Sequence, residues 1–157
     1  MQIAGWRLIP IAGCGTLRQS WKLWGYGMAQ RGGTVLSTIK VGAFHSPLIR
    51  SGQSDAALLL WEANLPVHHS LLKKEGALVI NSEDCQTGRC IDATGLARQM
   101  DNAVLANLIL LGFAVREGAL FCSAEECEEA IRKLAPAKFL KQNLAAFHRG
   151  CAGGDNL

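Results

Sequence analysis

The 157-residue sequence predicts an α/β domain, a three-layer α/β/α sandwich built on a largely parallel sheet. Three observations predict it. Two apolar runs of strand length, Ala56–Trp61 and Ala77–Asn81, lack polar alternation, as strands covered on both faces do. A stretch with helix signals lies between them, so strand and helix alternate. Beyond them the chain is a succession of helical patterns with legible starts and stops.

Residues 1–25 read as an atypical or truncated opening βα unit. Ile3-Ala4-Gly5 and Ile9–Gly15 each resemble the end of a strand. Leu17, Trp21 and Trp24 share one face at helical spacing, which predicts a short helix over Thr16–Trp24. Trp6, Trp21 and Trp24 must be buried or form an exposed apolar patch. Residues 26–150 form the main predicted domain. The loop Gly27–Gly33 leads into a strand, Thr34–Val41, rich in β-branched residues and ended by Gly42. Ser46-Pro47 marks an extended turn before Leu48-Ile49.

After the strand Ala56–Trp61, Asn64 is placed to cap a helix with Pro66 in its first turn. That helix is expected to run to about Lys73-Lys74 and to stop at Gly76. Strand Ala77–Asn81 follows, then a polar stretch with a Thr87-Gly88 turn. A short strand, Cys90–Ala93, ends at Thr94, read as the cap of a helix over Gly95–Met100. The run Ala103–Arg116 is apolar on nearly every side and predicts a central buried helix closed by Gly118. Ser123 and Glu126 form a capping box for a helix over Ala124–Leu134, which Pro136 ends. A last amphipathic helix, Ala137–Gly150, carries Leu140, Leu144 and Phe147 on one stripe. Residues 151–157 read as a flexible tail.

Composition narrows the function classes. The net charge of +3, from 16 basic and 13 acidic residues, has no basic cluster with interleaved aromatics, so nucleic acid is not an expected partner. The longest apolar run, Ala103–Val115, is shorter than the ~20 residues that span a bilayer, so no membrane association is expected. No signal peptide is legible at the N-terminus. Of the six cysteines, Cys85 and Cys90 are separated by four residues, as are Cys122 and Cys127. That spacing is looser than most structural zinc pairs and lacks the grouped triad of iron–sulfur sites. No metal site is expected, and the cysteines read as reduced thiols of a cytoplasmic protein.

Few residues carry chemistry. The chain has no Gly-x-Ser-x-Gly nucleophile motif. Adjacent His68 and His69 point apart and cannot form an i, i+4 metal pair. Arg31 stands out, because Gly32, Gly33 and the preceding Gly27 let backbone approach a ligand, and its planar guanidinium suits carboxylate or phosphate. With Gln30, Gly32 and Gly33 it forms the leading candidate contact set. Glu62 and Asn64 follow the carboxyl end of a buried strand, where open α/β sheets place ligand contacts. Asn107 is a polar residue in an apolar helix and requires partners if buried. Each has a structural alternative: Arg31 closing its loop, Asn64 as a cap, Asn107 tying its helix to a loop. Gly13, Gly15 and Thr16 form a fragment of a phosphate-binding turn that lacks its third glycine.

The ordered set of motifs resembles a known family. Gly27-Met28-Ala29-Gln30-Arg31-Gly32-Gly33, a strand, and then Ser46-Pro47-Leu48-Ile49 resemble the gamma-type subunit of 2-oxoacid:ferredoxin oxidoreductases. The Gly-Met-Ala-Gln-Arg-Gly-Gly form is most like the small (beta) subunit of indolepyruvate oxidoreductase. Ala77–Asn81, Asp92–Ala97, Asn102–Gly112 and Asn143–Phe147 with Gly150 resemble later family segments in the same order, so the likeness spans about residues 25–150. At the opening unit, Gly13-Cys14-Gly15-Thr16 matches the family's glycine loop only in part. The resemblance implies a non-redox subunit that shapes an active site and could contribute to a coenzyme A site, with Arg31 as its contact. It implies a larger partner subunit that binds thiamine diphosphate, Mg and iron–sulfur clusters, with ferredoxin as acceptor and an acyl-CoA as product. The alternatives are an inactive α/β binding module that keeps the scaffold, and a small nucleotide-binding protein using Gly13–Gly15.

Overall fold

The structure, a computed structural model, describes residues 20–26, 35–41, 48–84 and 86–153. The chain divides into two units, Met1–Leu48 and Ile49–Leu157. In the first, β1 (Ser20–Tyr26) and β2 (Val35–Val41) pair antiparallel, from Ser20 opposite Val41 to Tyr26 opposite Val35. β2 matches the predicted strand, with Thr38 on its buried face and Ile39 on its exposed one.

β1 corrects the helix expected over Thr16–Trp24. A nine-residue helix is marginal alone. Trp21, Trp24 and Tyr26 have high strand propensity, and β2 offers a full ladder of backbone hydrogen bonds. Tertiary pairing therefore outweighs the helical spacing of three side chains. The strand ends expected at Ile3–Gly5 and Ile9–Gly15 lie outside the described residues.

The second unit contains the predicted parallel sheet. β3 (Ser54–Leu59), β4 (Leu72–Asn81) and β5 (Arg89–Ile91) lie side by side in that order, all parallel. The period of two divides β4 between the faces. Val79 enters the helical core with Ile91, while Leu78 and Ile80 join Leu59 on the other side, against Leu65 and Leu72. Val79 and Ile80 are both fully buried. Continuous apolar strands thus mark a sheet covered on both faces.

The helix expected from Asn64 to Lys74 is not formed. A 3-10 turn over Glu62–Asn64 leads to the single-turn α1 (Leu65–His68), then to a second 3-10 turn, and β4 begins at Leu72. The segment has no apolar face long enough to hold a helix. Its last residues gain sheet pairing instead, Leu72 opposite Ser54, before the register shifts to Ala77 opposite Ala56. Lys73 forms an ion pair with Asp55 across the shift. Gly76 lies inside the strand rather than ending a helix. A Cβ there would sit 2.6 Å from Leu72 Cδ1.

The helices follow the sequence signals closely. α2 (Ala93–Gln99) is capped by Asp92, whose Oδ1 accepts from Gly95 N at 2.7 Å, and not by Thr94 as expected. Asn102 restarts the chain, its Oδ1 accepting from Val104 N, and α3 (Ala106–Arg116) follows as the central buried helix. Gly118, with φ of 64°, turns the chain out of α3. α4 (Ala124–Leu134) carries the predicted capping box: Ser123 Oγ accepts from Glu126 N, and Ser123 N donates to Glu126 Oε2. α5 (Leu140–Cys151) buries Ala146, Phe147 and Gly150, and it includes Cys151, which was expected in the tail.

α3 and α5 cross at backbone contact. A Cβ on Gly112 would lie 2.1 Å from Phe147 O, and one on Gly150 would lie 2.0 Å from Ile109 O. Only glycine permits this approach, and it brings Phe147 into the core beside Ile109 and Phe113. Among the described residues, no helix is long and apolar enough to cross a membrane.

Candidate functional site

The carboxyl-end rim of a parallel sheet is where its loops converge and where open α/β folds bind ligands. Here that rim is cross-linked by side chains. Asn81, the last residue of β4, donates from Nδ2 to Leu60 O (3.1 Å) beyond β3 and to Thr94 Oγ1 (2.7 Å) in α2. Its Oδ1 accepts from Thr94 N at 3.1 Å. One amide thus joins the ends of β3 and β4 to the first turn of α2. The neighbouring Ser82 hydroxyl lies 2.7 Å from Glu62 Oε2 and 2.6 Å from Asp84 O, two acceptors for one proton.

Glu62 is therefore brought to the rim, as its position after β3 predicts, and it is exposed there. Asn64 occupies the cap position of α1, but its side chain makes no cap hydrogen bond, which corrects the capping role expected for it. Asn107 is half-buried in the first turn of α3, outside the Asn81 network. Arg31, Gln30, Gly32, Gly33, Gly13, Gly15 and Thr16 lie outside the described residues. The rim residues that sequence reasoning missed are Asn81, Ser82 and Thr94. Their signal was an asparagine and a serine closing a buried apolar strand, where a polar pair needs bonding partners.

Beside this polar rim the surface is apolar. Leu60 and Trp61, continuing from β3, are 47% and 67% exposed. A large aromatic left in solvent beside hydrogen-bonded polar groups is the composition of a protein–protein contact.

The amino end of the sheet is different. An open depression of about 730 Å³ is lined by His69, Lys73, Gly76, Thr87, Arg89 and Gly118, among others. Two of its cations are paired: Lys73 with Asp55, and Arg89 with Glu117 through Nε–Oε2 at 3.3 Å and with the Glu117 carbonyl at 2.6 Å. Arg89 thereby holds β5 to the carboxyl end of α3. This depression has the makeup of a structural seam.

The cysteines do not form a four-thiol set. Cys90 is disulfide-bonded, which corrects the reading of six reduced thiols, while Cys122, Cys127 and Cys151 are free. Among the described residues, no three His, Cys, Asp or Glu side chains gather to hold a metal ion. These described residues do not fit an iron–sulfur cluster.

Comparison with known proteins agrees with this architecture. A family model described as pyruvate ferredoxin/flavodoxin oxidoreductase matches residues 24–153. The chain is 24% identical to indolepyruvate oxidoreductase subunit IorB of Archaeoglobus fulgidus, with 80% of this chain and 75% of that one aligned. It is 22% identical to the subunit of the same name from Methanothermobacter thermautotrophicus, covering 80% and 77%. Among solved structures, the gamma subunit of a keto/oxoacid ferredoxin oxidoreductase from Geobacter sulfurreducens superposes with a TM-score of 0.67. It is 25% identical and covers 86% of this chain and 79% of its own.

Proposed function

The chain belongs to the pyruvate ferredoxin/flavodoxin oxidoreductase family, and from that membership we propose that it is the small, non-redox subunit of a thiamine-dependent 2-oxoacid:ferredoxin oxidoreductase. The substrate is an arylpyruvate such as indolepyruvate. The complex releases CO2, transfers the acyl group to coenzyme A and passes two electrons to ferredoxin. Thiamine diphosphate, Mg and the iron–sulfur clusters sit on a larger partner subunit, and the assembly works in the cytoplasm. The observation that carries this reading is the family match over residues 24–153, together with relatives that are themselves named as oxidoreductase subunits.

In this reading the chain shapes the active site from its surface. Leu60 and Trp61 supply an apolar anchor for the larger subunit. The rim of Asn81, Thr94, Ser82 and Glu62 holds that anchor in a fixed place through four hydrogen bonds of 2.7–3.1 Å. Arg31, with Gln30, Gly32 and Gly33, contacts an anionic group of substrate or coenzyme A, for which a guanidinium fork is suited.

Co-expression with a large subunit carrying thiamine and cluster motifs tests the reading. The two chains are expected to co-purify through size-exclusion chromatography. Arg31→Ala is expected to leave co-purification intact and to lower kcat/KM for substrate or coenzyme A by about tenfold or more, as loss of a charged hydrogen bond does. A complex that forms but never turns over an arylpyruvate favours the inactive binding module. Unchanged kinetics in the Arg31 variant remove it from the site.

A further inference from the structure

The two sulfurs of Cys122 and Cys127 lie 3.4 Å apart and are not bonded. Their placement follows from the capping box of α4. With Ser123 as the cap, Cys122 is the residue before the cap and Cys127 the fourth helical residue. Those two positions are the ones that a hydrophobic staple brings together, normally with aliphatic side chains. Here both are thiols. The backbone that closes the cap therefore also holds two sulfurs within about 1.4 Å of a disulfide bond length.

The pair is asymmetric. Cys122 is partly exposed, in the turn between α3 and α4 beside the exposed Phe121, while Cys127 is 5% exposed and belongs to the core. An accessible sulfur backed by a buried one is the arrangement of an attacking and a resolving thiol. The electrostatics agree. A hydrogen bond from the Cys127 thiol lowers Cys122 to about 7, against burial and the Glu126 carboxylate, which both raise it. Cys127 is pushed up, first by that same bond to Cys122, then by burial and by the charges of Cys122, Cys151 and Glu126. Cys151 is raised by burial, Glu128 and Glu125, and so remains a poor nucleophile.

We propose that Cys122 and Cys127 form a thiol–disulfide exchange site for low-molecular-weight disulfides. The Cys122 thiolate attacks one sulfur of the small disulfide, forming a mixed disulfide and releasing one thiolate, which takes a proton from solvent. Cys127 then loses its proton to solvent and attacks Cys122 Sγ, expelling the second thiolate, which is protonated in turn. Two protein thiols become one disulfide, and the small disulfide becomes two thiols. The bond closes across the α4 cap without moving the rest of the core, because the cap geometry already spans it.

The test uses the full chain and glutathione disulfide under native conditions, with free thiols then blocked and the protein digested for mass spectrometry. A Cys122–Cys127 cross-link is expected, reversible with dithiothreitol. Cys127→Ala is expected to stop the reaction at a glutathione adduct on Cys122, and Cys122→Ser to abolish both products. Cys151→Ser should change neither. The proposal is overturned if the unaltered chain retains a stable adduct at Cys122 without closing, or if Cys122 and Cys127 stay reduced while Cys151 reacts.

Discussion

Replacing Gly150 with alanine tests the packing on which the second unit depends. The new Cβ would lie 2.0 Å from Ile109 O, 2.8 Å from Ile109 C and 2.9 Å from Phe113 N. All three atoms are backbone of α3, so no side-chain rotation relieves the contact. The closest of them is about 1.5 Å inside the separation at which non-bonded contacts become favourable. α5 must retreat, and Phe147 must leave its fully buried position with it. Against backbone that cannot rotate away, the overpacking cost falls at or beyond the upper end of its usual range, ~3 kcal/mol or more. Alanine's better helix propensity returns about 1 kcal/mol. The steric effect prevails, and a net loss of ~2 kcal/mol or more is expected. In a unit of this size that lowers Tm by about 8 °C or more. Denaturant unfolding followed by circular dichroism measures it. A variant as stable as the parent, or more stable by about the propensity gain, would show that α5 does not touch α3 at Gly150.

Asn81→Ala removes two donated bonds and orphans the half-buried Thr94 amide, which should cost ~1–3 kcal/mol and speed hydrogen exchange at Thr94. Ser123→Ala breaks the α4 capping box and should cost about 1 kcal/mol by denaturant unfolding. Iodoacetamide alkylation of Cys122 should rise with pH through a midpoint near 7. The thiolate is the reactive form, so a lowered pKa moves the rise to lower pH than an ordinary thiol shows, and Cys127→Ala should move it back up. Trp61→Ala should leave the isolated chain's unfolding unchanged, because the side chain is 67% exposed. It should weaken association with the large subunit by about tenfold or more, read by titration calorimetry.

Most of the second unit was legible because its signals are local. Ser123 and Glu126 specify a helix start by reciprocal hydrogen bonds three residues apart, and the structure forms both. The apolar runs at Ala56 and Ala77 predict doubly covered parallel strands for the same reason, since strand covering is written in composition. The failures fall where partners are distant. Nothing within Thr16–Trp24 tells that β2 will pair with it, nor does Leu65–Lys74 show that Leu72 will join β3. Asp92 displaced Thr94 as the α2 cap because Thr94 is engaged by Asn81, a residue thirteen positions away. The family resemblance survived these errors because it rested on short motifs in a fixed order. The candidate site was legible only as a location, the carboxyl rim; among the described residues, Glu62 is the predicted one that joins its hydrogen-bond network.

In the proposed function, this chain completes an oxidoreductase that it cannot run alone. The direct measurement is reduction of a viologen acceptor by indolepyruvate, using the large subunit alone, this chain alone, and the co-expressed pair. Turnover is expected only for the pair, dependent on both thiamine diphosphate and coenzyme A. Full activity from the large subunit by itself, or a stable pair inert toward every arylpyruvate tried, would contradict it.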